Sequence, residues 1–150
     1  MNQQNDVMAI LKLYELRRDE KMRESRQWYF SRFAPQSAMD IIALFRGGER
    51  ASANFRMITS YWDMASSFVL NGAIDEKMFF DSGTEHIFVY TKIALFLAEL
   101  REMLNEPEFF IHLETLALKV PNIETKMENR QRLYALWTKE EKEISAGESH

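Results

Sequence analysis

Apolar residues recur every three or four positions along almost the whole chain. Val7, Ile10, Leu11, Tyr14, Met22, Tyr29 and Phe33 form the first stripe, the spacing of a helix with one face turned to a core. Its middle, Arg17–Arg26, is polar on nearly every side, with opposite charges such as Asp19 and Arg23 one turn apart. This predicts one long helix over residues 1–34, stopped before Pro35, and able to serve as an oligomerisation appendage. Ser37 and Asp40 form a start signal for a short helix ending at Gly47–Gly48. Phe55, Ile58, Tyr61, Trp62, Ala65, Phe68 and Val69 mark a longer one, with Gly72 just past its end.

Asp75 then caps a short helix, "EKMFFD". Ser82 and Glu85, three apart, read as a capping box for the next. Residues 85–104 are apolar on most faces, the mark of a buried central helix. Asn105 with Pro107 predicts the start of another helix, and Ile123, Met127, Tyr134 and Trp137 form the stripe of the last one. The expectation is an all-α, single-domain bundle of about seven helices, with a body over 35–143 and a charged, disordered tail over 144–150.

Composition narrows the function. Five Gly and three Pro in 150 residues leave room for few turns. The net charge of −4 argues against nucleic acid as a partner, although residues 1–35 carry +2 and the rest −6. No cysteine is present, which removes disulfides and thiol chemistry and suits a reducing, cytoplasmic setting. The first twenty residues lack a signal-peptide pattern, because Lys12 and Glu15 interrupt their apolar positions. The richest apolar run, Ile87–Leu100, is too short to cross a bilayer and contains Lys92.

The acidic stretch Asn71–His86 invites a calcium loop, but the pattern fails at every test position after Asp75, and a start at Asp81 puts Gly83, Glu85 and His86 at positions 3, 5 and 6. Glu-x-x-His, the di-iron bundle motif, does not occur. Candidate metal or small-molecule ligands reduce to Glu85, His86, Glu108 and His112. Glu108 and His112 are spaced to share a helical face. Phosphate-loop and nucleophile-elbow signatures are missing. No cofactor is implied and an enzyme is disfavoured. Asp63, inside the most apolar part of its helix, must find a hydrogen-bond partner and is expected to be a structural polar pin. Trp28, Tyr29, Phe30 and Phe33 crowd four rings into six positions, more than one core should accommodate from one helix, so they are expected to meet a partner.

The pair Trp62–Asp63, "NGAID" (Asn71–Asp75), "EHIFVYTKI" (Glu85–Ile93), "EPEFF" (Glu106–Phe110) and "LALKVP" (Leu116–Pro121) give residues 61–127 a resemblance to a group of short bacterial proteins with a domain of unknown function. That resemblance implies helices and a cytoplasmic location, and brings no reaction or ligand. The leading expectation is a non-enzymatic interaction or adaptor protein acting as a homodimer. A small-molecule or metal-binding bundle with a pocket between helices is the alternative. Peripheral membrane association through the first helix is the third.

Overall fold

The computed structural model describes residues 3–47 and 50–148, with side chains as far as Trp137. It is all-α, with no strand among the described residues. In chain order the helices are α1 (Gln3–Arg17), α2 (Glu20–Ser31), α3 (Ala38–Gly47), α4 (Arg50–Leu70), α5 (Glu76–Ser82), α6 (Glu85–Ile93), α7 (Leu97–Leu104), α8 (Ile111–Leu118) and α9 (Ile123–Glu148). Gly48, expected in the turn after α3, lies outside the described residues.

The expected long first helix is broken. At Asp19 the backbone leaves helical geometry (φ −54°, ψ 140°), and the carboxylate accepts from the N–H groups of Lys21 and Met22. An aspartate that could pair with Arg23 caps a new helix instead, which satisfies donors a helix start would otherwise leave free. The break lets α1 pack on α5 while α2 packs on α4 and α9. Residues 1–34 therefore contribute to the core through Ile10, Leu13, Met22, Tyr29 and Phe33.

The four rings expected at a partner interface also turn inward. Tyr29 and Phe33 are buried, and Trp28 and Phe30 are half-buried. The reason is that α2 lies between two neighbours, so it has more than one core-facing side. Phe33 meets Phe55 of α4, whereas Phe30 stacks on Tyr134 of α9.

Residues 85–104 form the expected buried stripe with a change of winding. A 3-10 turn at Ala94–Phe96 separates α6 from α7, yet Val89, Ile93, Leu97 and Leu100 stay within 1% exposure. The capping box fails. Thr84 is the N-cap but its hydroxyl makes no capping bond and accepts from Arg130 instead, Ser82 donates to the Phe79 carbonyl, and Glu85 is committed elsewhere. Asn105 adopts the left-handed conformation (φ 53°) and ends α7 rather than starting α8. The helical backbone of α9 reaches Glu148, through most of the stretch expected as a tail; residues 149–150 lie outside the described residues.

Other local signals act as read. Asp75 accepts from the Met78 N–H at 2.9 Å. Gly72 takes φ +80°, and the next N–H returns to the Phe68 carbonyl. Ser37 accepts from the Asp40 N–H while the Asp40 carboxylate accepts from Gln36.

Asp63 closes the bundle. It is half-buried, and its Oδ1 accepts from the Leu113 N–H at 2.9 Å. Phe110, the residue before α8, has a left-handed backbone and offers no cap. Asp63 supplies that cap from α4 across the core. The partner is a backbone N–H rather than the arginine or indole a buried acid might have sought. Asp63→Ala should destabilise the fold by about 1 kcal/mol, the usual size of a lost cap. Chemical denaturation would measure it, and an unchanged midpoint would remove the capping role.

Candidate functional site

Three polar side chains of the interior with unusual surroundings, Glu85, His86 and Lys92, lie on α6. Glu85, in its first turn, is about 10% exposed; it accepts from Arg26 Nε at 2.8 Å and forms an ion pair with Arg17 Nη2 at 3.1 Å. One carboxylate thus ties α1 and α2 to α6. Arg17 also lies over the rings of Tyr14 and Trp62, at 4.7 and 5.6 Å. A half-buried pair of this kind holds geometry more than it adds stability, and removing one partner strands the other's charge.

His86 follows immediately and is fully buried. Phe79, Phe80 and Trp62 surround its ring, with centroids 5.0, 5.2 and 6.1 Å away. Neither ring nitrogen has a hydrogen-bond partner. Burial pushes the imidazole down to about 3, helped by the Arg130 charge. It is therefore a neutral side chain in an aromatic cage at neutral pH.

The metal reading does not assemble. Glu108 sits in the turn before α8 and is exposed; His112 is in the first turn of α8 and is also exposed. They never share a helix, because α8 begins at Ile111. Glu85 is held by the two arginines, and His86 is enclosed by aromatic rings. Among the described residues no group of three or more His, Asp or Glu could hold a metal ion.

The residue that sequence reasoning passed over is Lys92, visible there only as a charge in an apolar run. Its Nζ donates to the carbonyls of Tyr29 and Phe33, and lies 3.5 Å from that of Phe30. These carbonyls lie in the last turn of α2 and just beyond its end, where helical partners run out. The ammonium also sits 4.2 Å from the centre of the Tyr134 ring, within cation–π range. Burial pushes this amine down to about 7. Tyr29 and Tyr134 are both pushed up by burial and stay neutral beside it. A groove of about 580 Å³ opens here, with Phe33 and Pro35 on one side, Lys92, Leu95 and Phe96 on another, and Tyr134 of α9 on the third.

Two pH effects follow. Lys92 has a folded pKa below its unfolded one, so the unfolded chain holds more protons between about pH 7 and 10, and stability should rise with pH there. The expected gain from pH 7 to 9 is about 1–2 kcal/mol, and Lys92→Met should flatten it. His86 is depressed from 6.5 toward 3, so its contribution is present above pH 6.5 and lost as pH falls. His86→Phe should stabilise the protein by about 1 kcal/mol at pH 5, because it removes two unpaired nitrogens without emptying the cage. Thermal melts across pH test both, and parallel curves for variant and wild type would count against each.

Among the described residues no helix is long and apolar enough to cross a membrane. No curated protein and no solved structure matches the chain. A family model does match, over residues 3–120, a wider span than the 61–127 of the resemblance. It takes in α1 through α8 and stops before α9. The chain therefore belongs to the family described as a domain of unknown function, DUF4760.

Proposed function

We propose that this protein is a non-enzymatic helical interaction module that pairs with a second copy of itself through the outer face of α1. The observation that carries the reading is an apolar surface on a helix already docked by its other side. Ile10 and Leu13 are buried, while Val7, Met8 and Leu11 are 43%, 65% and 55% exposed. These three lie one helical turn apart or side by side, and water is an unfavourable neighbour for such a cluster. A two-fold arrangement laying one α1 against another would cover the same patch on both copies.

Charge on α1 favours a protein partner over a lipid surface. Surface-seeking helices present lysine and arginine around their apolar face. Here Lys12 pairs with Glu15, and Arg17 is taken by Glu85. A cytoplasmic setting is consistent with a chain that has no cysteine.

Light scattering tests the proposal. The wild-type chain should have twice the monomer mass at about 50 µM, a concentration at which a weak dimer with micromolar Kd is mostly associated. Met8→Lys with Leu11→Lys should return it to monomer without changing its helical circular dichroism. A monomeric wild type would overturn the reading, as would a dimer indifferent to both changes.

A further inference from the structure

We propose that the groove beside Lys92 binds a small organic acid with a flat apolar body, whose carboxylate accepts from the Lys92 amine. This goes beyond the interaction reading and uses a different face of the molecule. The walls are Phe33, Pro35, Leu95, Phe96 and Tyr134, largely apolar and aromatic. At about 580 Å³ the groove falls within the range of ordinary ligand clefts. Leu95, an apolar side chain, is 77% exposed at its rim.

Charge selects the ligand. Lys92 is the single charged side chain lining the groove among the described residues. Among the described residues no carboxylate pairs with it, unlike Arg17, Arg26 and Arg101, which each hold a glutamate. Two of its N–H groups are held closely by the carbonyls of Tyr29 and Phe33. The third faces the Phe30 carbonyl at 3.5 Å, the limit of a hydrogen bond. That donor is available to a better acceptor. An incoming carboxylate would also favour the protonated amine, which burial alone disfavours. Its apolar body would lie against Phe96 and Leu95. A neutral ligand of the same shape gains the apolar contacts but not the ion pair, so the site should discriminate by charge.

The test uses 2-naphthoate as the probe and 2-naphthalenemethanol as its neutral counterpart, followed by amide NMR shifts on the full chain. Naphthoate should bind with Kd below about 1 mM, moving the amides of Thr91, Lys92, Leu95, Gln131 and Ala135. The alcohol should bind at least about tenfold more weakly. Raising the pH from 7 to 8.5 should weaken naphthoate about tenfold, as the amine loses its proton. Lys92→Met should abolish the preference for the acid. Because that change also unties α2, Ala135→Phe provides a second variant. It fills the groove from the exposed side of α9 and should prevent binding while leaving Lys92 and the helical spectrum intact. The proposal is overturned if naphthoate moves no groove amide up to about 10 mM, if acid and alcohol bind alike, or if Ala135→Phe binds as wild type does.

Discussion

The bundle depends on how the C-terminus of α2 is closed. Its last carbonyls have no helical donors, and they face the interior rather than water. Lys92 reaches them from α6, contributing donors where a helix end carries partial negative charge. Together with the Arg26–Glu85 pair, this contact ties α2 to α6. It places Tyr29 where its hydroxyl donates to the Val89 carbonyl at 2.5 Å. It also stacks Phe30 on Tyr134, and so seats α9. The turn at Pro35 lies just beyond that closure, and the groove is the space between the turn and α9.

Glu85 and His86 are adjacent on α6 and solve the same problem in opposite ways. Both are removed from water by neighbouring helices. Glu85 is met by Arg17 and Arg26, which arrive from two separate helices. His86 meets only aromatic rings and a distant guanidinium, so the neutral form prevails. Tyrosine hydroxyls supply the remaining ties. Tyr14 donates to Ser82, Tyr61 to Leu13 and Tyr134 to Phe88, each a carbonyl on another element. The result is a core rich in rings in which these tyrosine hydroxyls each reach a backbone acceptor, which favours one packing over its competitors.

Helices and many of their ends were legible in the sequence because their causes are local. Gly72, Asp75 and Ser37 act within a few residues of themselves, so spacing alone reveals them. The misreadings arise where a residue has a local and a distant option. Asp19 could pair with Arg23 or cap, and tertiary packing of α1 and α2 in different directions selects the cap. Asn105 could begin a helix or end one; its left-handed backbone ends α7. Glu85 looked like half of a capping box, but arginines 59 and 68 positions earlier take it. Lys92 was the hardest to read, since its partners are main-chain carbonyls 59 to 63 residues away that no side-chain pattern encodes. The four rings of α2 were legible as unusual, and only the position of α2 between α4 and α9 explains where they go.

The limits of the family match divide the site in an informative way. Residues 3–120 include both halves of the α2–α6 closure, Lys92 and the carbonyls it serves. They exclude α9, which provides Tyr134, Gln131 and Ala135. The buried amine and its helix-end partners thus belong to the shared domain, while the aromatic lid over the amine comes from a segment outside it. Removing α9 from that position would expose the ammonium to water and relieve the burial that depresses its pKa. The unusual character of Lys92 is consequently a property of the whole chain: the domain supplies the amine, and the last helix supplies the apolar wall that makes its charge costly.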